Sequence, residues 1–211
     1  MRGRYADRSA AGEALAALTA VQTWHRPVVV GVARGGVPVA LPVALRLGAP
    51  LDVVVARKIG APGRPEFGVG AVCASGPPFF DDSALASLGL VPAHLASSVE
   101  AERAEAVRRE QRYRAGRVAV AERDVILVDD GLATGVTAVA ALQRLRARRP
   151  RRLVFAAPVC APMGVETVAA HADVVICVRS PARFAAVGEW YANFRQTTDD
   201  EVIAALDSAT G

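Results

Sequence analysis

Short, unbroken apolar runs alternate along this chain with stretches whose apolar positions return at helical spacing. The runs at 28–33, 51–56, 125–128, 153–158 and 174–178 lack the polar alternation of a half-exposed strand. They predict strands buried on both faces, the pattern of a parallel sheet covered by helices. Helical spacing predicts helices over 9–24, with Ser9 as N-cap and Leu15, Leu18 and Val21 on one face, and over 37–47, 136–148, 164–170 and 198–206. Pro38 suits the first turn of the second helix, whereas Pro42 should disturb it. Four Gly and two Pro within 60–70 read as a loop, with short strands near 69–73 and at Phe79 and Phe80. The stretch 92–114 is helical but strongly charged, and reads as a solvated insertion over the sheet. Strands alternating with helices give the expected fold: α/β, a twisted parallel sheet of five to six strands flanked by helices, in one domain over 1–211. Residues from about 75 to 122 form a helical insertion, and those from about 180 to 211 form a small C-terminal hood.

Composition narrows this picture. With 52% hydrophobic residues, the chain can bury a large core. A net charge of +4 is too weak to imply a nucleic-acid partner and suits an anionic ligand. Nearly every positive charge is Arg, and Lys58 is the single Lys. In such a background it marks a position where a compact ammonium serves and a guanidinium would not. Cys73, Cys160 and Cys177 are far apart and odd in number, so a disulfide framework or zinc site is not expected, and a reducing cytoplasm is the simplest reading. His25, His94 and His171 lack metal-ligand spacing. No apolar run approaches membrane-spanning length.

The most specific signal is V-I-L-V-D-D-G-L-A-T-G-V-T at 125–137. Four buried residues deliver Asp129 and Asp130 to the carboxyl edge of the sheet, where ligands of open α/β sheets bind. Ala133, Thr134, Gly135, Val136 and Thr137 then turn into a helix. Backbone N–H groups at such a turn, aided by the helix dipole and by the Thr hydroxyls, make an anion seat. Acids beside a phosphate cradle suit a sugar phosphate, the carboxylates taking ribose hydroxyls and the loop the 5-phosphate. Arg34, Gly35 and Gly36 after the first strand form a second tight turn, in which glycines permit close approach to an anion and Arg34 offers a fork to phosphate oxygens.

The 125–137 stretch resembles the PRPP-binding motif of type I phosphoribosyltransferases, PRPP being 5-phosphoribosyl 1-diphosphate. Two positions depart from that pattern. Gly131 stands where a larger apolar residue is usual, and Ala133 where 6-oxopurine enzymes often carry an Asp with an acid/base role. The A-T-G form is similar to adenine phosphoribosyltransferases. The resemblance implies that the 34–36 turn is the pyrophosphate loop, which often carries a non-proline cis peptide. It also implies that Arg57 and Lys58, with the following loop, bind the diphosphate and stabilise its departure; Glu66 on that loop reads either as a solvated acid or as one that steadies a cationic sugar. Asp129 and Asp130 are the residues nearest the expected Mg2+, directly or through ribose hydroxyls or water. The tail holds Phe184, Trp190, Tyr191 and Phe194, and its 183–188 stretch is similar to the hood of hypoxanthine-guanine enzymes, which makes Phe184 the first candidate to stack on an acceptor base. The implied activity is transfer of phosphoribosyl from PRPP to a nitrogen acceptor with release of diphosphate, in the cytoplasm and without a membrane or nucleic-acid partner. Homodimers are common in the family. The alternative is a PRPP-binding regulatory protein without turnover. The A-T-G turn leans toward adenine and the tail toward 6-oxopurines, so the acceptor stays open.

Overall fold

Burial is nearly complete in the apolar runs at 28–32, 51–56, 125–128 and 153–158, but the run at 174–178, expected to be buried on both faces, is only half-buried because it lies at the edge of the sheet. The computed structural model describes residues 3–209. It begins with α1 (Arg8–Ala20), β1 (Val28–Val32), α2 (Gly36–Leu47) and β2 (Leu51–Val54). Next come β3 (Ala56–Ala61), β4 (Arg64–Cys73), β5 (Phe79–Phe80), α3 (Asp82–Ser87) and α4 (Ala96–Tyr113). The chain then alternates through β6 (Asp124–Val128), α5 (Val136–Arg146), β7 (Arg152–Val159), α6 (Pro162–Ala169) and β8 (Val174–Arg179), and α7 (Asp199–Ser208) follows. Five strands form one parallel sheet in the order β2-β1-β6-β7-β8.

Successive side chains of a strand point to opposite faces, and the two faces hold different helices. Val29, Ile126 and Val128 meet Leu15 of α1 and Val39 and Val43 of α2. Val28, Val30, Leu127 and Phe155 meet Val139 and Leu142 of α5, with Val168 of α6 beside them. The connections therefore leave β1 and β6 on opposite faces. Asp52 and Asp124 are both buried in strands: Asp52 accepts from the backbone N–H groups of Val53, Gly116 and Val118, and Asp124 from the His25 N–H and the Arg151 guanidinium.

Several local expectations are corrected. Asp7, not Ser9, caps α1, its carboxylate accepting from the Ala10 N–H at 2.9 Å. The helix stops at Ala20, and the Trp24 indole N–H donates to the Thr19 carbonyl at 2.8 Å. Helix α2 runs through Pro42 without a break, because its buried face is clamped against α1 and the sheet. The 60–70 stretch is not a loop: β3 and β4 pair antiparallel from Ala56↔Cys73 to Ala61↔Arg64, with a register shift at Gly60, and β5 joins their sheet. Glycine and proline fall at the irregularity and at the turn (Gly63, φ 71°), places where a hairpin uses them. Helix α4 is not merely solvated. Val99, Ala106 and Tyr113 are buried, and Val99 joins Ile59, Val69 and Val72 in a core of the hairpin's own. No disulfide framework is expected from the cysteine spacing, yet Cys160 and Cys177 form one disulfide between the end of β7 and β8, while Cys73 is free and buried. Adjacent parallel strands bring together residues 17 positions apart, a proximity that spacing alone does not show. Among the described residues, no helix is long and apolar enough to cross a membrane.

Candidate active site at the carboxyl edge of β1 and β6

The two central strands leave the sheet toward opposite faces, which opens a crevice beyond their carboxyl ends, the place where ligands of such sheets bind. The pairing Gly31↔Val128 sets the loops after β1 and β6 side by side. Gly36 lies so close that a Cβ there would come within 2.5 Å of the Val128 carbonyl, and one at Gly35 would overlap the Asp130 carboxylate. Only glycine lets the two loops meet this closely. The Ala33–Arg34 peptide is cis, as the resemblance implies.

Asp129 and Asp130 are both half-buried. Burial, reinforced by the neighbouring Asp130, raises the Asp129 carboxyl well above its ordinary value. Burial raises Asp130 as well, while Arg8 draws it back. Asp129 Oδ1 accepts from the Asp130 N–H at 2.8 Å. Arg8 Nε donates to Asp130 Oδ2 at 2.8 Å, and the Tyr191 hydroxyl donates to the Asp130 backbone carbonyl at 2.5 Å. After the acids, Leu132 is pinned beside β7 by backbone bonds to Val159 and Ala161. Gly135 (φ 90°) then starts α5 with no side-chain cap, which leaves the first N–H groups of that helix for an anion. Ala133, Thr134, Gly135, Val136 and Thr137 line a cleft of about 140 Å³ with Asp129 and with Val187 from the tail. A side chain at Gly131 would collide with Val187, so the missing bulk at 131 is filled by the tail.

The predicted cations divide. Arg34 Nη1 lies 3.4 Å from Asp199 Oδ1 at the start of α7. The same carboxylate accepts from the Tyr113 hydroxyl at 2.6 Å and faces Arg112 at 3.2 Å. Arg57 and Lys58 are adjacent on β3 and so project to opposite faces. Arg57 turns to α4 and donates to Glu102 at 2.7 Å. Lys58 stands opposite Ala71, on the hairpin face that joins the α5 core, and its Nζ donates to the Glu66 carbonyl at 3.0 Å. The Glu66 side chain is 99% exposed, with its carboxylate 3.9 Å from Lys58.

The tail aromatics also divide. Tyr191 is buried, its ring 5.7 Å from that of Tyr5 and 4.9 Å from that of Phe194. Trp190 packs into the same cluster. These rings fasten the tail to the N-terminal segment. Phe184 lies outside the cluster and is half-buried. Arg8, Tyr113 and Asp199 are the site neighbours that the motifs did not indicate. Each comes from an element remote in sequence, and none sits in a recognisable local pattern.

The parallel sheet carries the loop pair at its edge and the cradle at α5, and the chain belongs to the phosphoribosyl transferase domain family, which it matches over residues 6–193. It is a type I member whose acceptor is unassigned. A protein of Mycobacterium tuberculosis (strain H37Rv), provisionally named a phosphoribosyl transferase, is 43% identical over 205 residues, 96% of this chain and 46% of its own length. The chain thus spans about half the length of such curated relatives. The crystal structure of TT1426 from Thermus thermophilus has 43% identity and a TM-score of 0.81, covering 99% of this chain and 100% of that one. A uracil phosphoribosyltransferase of Acidovorax sp. (strain JS42) is 50% identical over 58 residues, 27% of this chain and 28% of its own.

Proposed function

We propose that the chain transfers the 5-phosphoribosyl group of PRPP to a nitrogen acceptor, a nucleobase by the character of the family. The observation that carries this reading is the convergence of two loops, 34–36 after β1 and 129–137 after β6, on the crevice between these strands. The α5 N-terminus takes the 5-phosphate, Asp129 and Asp130 take the ribose hydroxyls, and the loop after β1 takes the diphosphate. Lys58, on the hairpin face that joins the α5 core, meets the charge growing on the leaving group. Its partner Arg57, tied to Glu102, aligns the hairpin from the other side. Glu66 sits on the hairpin's exposed arm as a candidate to steady the sugar. Phe184 is the candidate platform for the base.

In the reaction the bond from the anomeric carbon to diphosphate breaks and a bond to the acceptor nitrogen forms. The diphosphate leaves with the electron pair and the acceptor nitrogen loses its proton. The residues present fit Mg2+ as a companion of the ligand. Among the described residues no cluster of three acidic, His or Cys side chains stands ready to hold a metal. Two adjacent carboxylates suit a cation that keeps waters and takes its other oxygens from substrate phosphates. Bound there, Mg2+ would neutralise charge on the diphosphate. The test is calorimetric titration of PRPP with Mg2+ into the wild type and into Asp129→Asn/Asp130→Asn. We expect a folded double variant whose affinity falls by about 100-fold. Undiminished binding refutes the assignment.

A further inference from the structure

One residue that the motifs leave unexplained and the structure brings into the site is Arg8. It is the first residue of α1, where the positive end of the helix dipole disfavours a cation, and the neighbouring Asp7 carboxylate is engaged in capping the helix. Its side chain is only 12% exposed, so its charge requires a partner inside the protein. The partner is Asp130 of the PRPP motif, itself 15% exposed. Three contacts hold the guanidinium: Nε on Asp130 Oδ2, Nη1 on the Arg195 carbonyl at 2.7 Å, and its plane over the Phe194 ring at 4.0 Å. Among the described residues, nothing accepts from Nη2. A Cβ at Gly35 would approach Arg8 Nε within 3.1 Å as well as overlapping Asp130, so the pyrophosphate loop, the acid and the guanidinium converge on one point.

We propose that Arg8 is a positioning residue of the PRPP site. It fixes Oδ2 of Asp130, leaves Oδ1 for the ribose hydroxyls, and ties the acid to the tail through Phe194 and Arg195. This rests on the phosphoribosyl reading above and extends it to a residue outside the family motif. The arrangement uses two nitrogens on two different acceptors and a flat face on a ring. An ammonium can supply the charge of such a group and neither its fork nor its plane. Arg8 only packs beside the loop assigned to the diphosphate, whereas it hydrogen-bonds the acid assigned to the ribose hydroxyls, so it acts on the ribose half of the ligand.

That division gives the test. Ribose 5-phosphate and inorganic diphosphate are titrated separately, with Mg2+, into the wild type, Arg8→Ala and Arg8→Lys, with PRPP as the reference ligand. We expect ribose 5-phosphate to weaken by about tenfold or more in both variants, while diphosphate changes by less than about threefold. Should Arg8→Ala fail to fold, Arg8→Lys carries the same comparison. Equal weakening of both probes makes Arg8 a structural staple and overturns the proposal. Tighter ribose 5-phosphate binding makes it a gate over Asp130 and overturns it too, as does recovery of wild-type affinity in Arg8→Lys. Failure of the wild type to bind PRPP removes the functional reading and this one with it. PRPP binding by the wild type with an unaffected Arg8→Ala removes this one alone.

Discussion

Lys58 shows how much a single position can carry. Its neighbour Arg57 has the same charge but the opposite face of β3, and Glu102 already engages it. Strand alternation thus assigns the two cations different work. Lys58 is 43% exposed, with a backbone carbonyl and a distant carboxylate as its contacts, so its ammonium is free to move onto a ligand. If it stabilises the departing diphosphate, its contribution appears in the transition state more than in the bound ground state. Lys58→Ala should then lower kcat by about 100-fold. Affinity for ribose 5-phosphate, which lacks the diphosphate, should stay within about twofold. Parallel losses in both measurements would make Lys58 a general electrostatic residue.

At the scale of elements, the tail and the hairpin do what their composition concealed. The hairpin was hidden by its glycines and prolines. The tail was read as a row of aromatics, but three of them, Trp190, Tyr191 and Phe194, form a cluster with Tyr5 that fixes it to the start of the chain. Phe184 precedes that anchor and is half-buried, while Val187 fills the space over Gly131. The anchor and the proposed platform are therefore separable. Phe184→Ala should raise KM for the acceptor by about 10-fold, the scale of one base–aromatic stack, with PRPP affinity and thermal midpoint nearly unchanged. Nucleobases screened with PRPP and Mg2+ for diphosphate release identify the acceptor for this measurement. A fall in thermal midpoint without a change in KM would place Phe184 with the other rings as packing.

Across the whole molecule, one carboxylate joins three parts of the chain. Asp199 of α7 accepts from Tyr113 of α4 and pairs with Arg112 and with Arg34 of the loop after β1. The Tyr113 hydrogen bond, helped by the surrounding arginines, holds the Asp199 carboxyl below its ordinary 3.8. A carboxyl depressed in the folded state stabilises the fold above its unfolded pKa, and that stabilisation is lost as pH falls through the folded value. Asp199→Asn should lower the thermal midpoint at neutral pH by roughly 2–6 °C. The difference from wild type should shrink once the pH drops below the ordinary carboxylate value. A difference that stays constant from pH 7 to about pH 3 would show that the charge of Asp199 does not contribute.

The local record of the chain was enough for the parallel sheet and for most of the candidate ligand cradle. Strands buried on both faces must be continuously apolar, and an anion turn needs its glycines and its following helix within a few residues of the acids. Runs such as 125–128 and the residues at 129–137 therefore announce themselves. What local pattern could not show is which remote groups meet. The hairpin register separated Arg57 from Lys58, the order of parallel strands paired Cys160 with Cys177, and the crossing of α1 over the sheet brought Arg8 to Asp130. Arg8 and Asp199 look like ordinary surface charges until the chain folds. Burial then makes an unpaired charge costly, and each finds its partner from a distant part of the sequence.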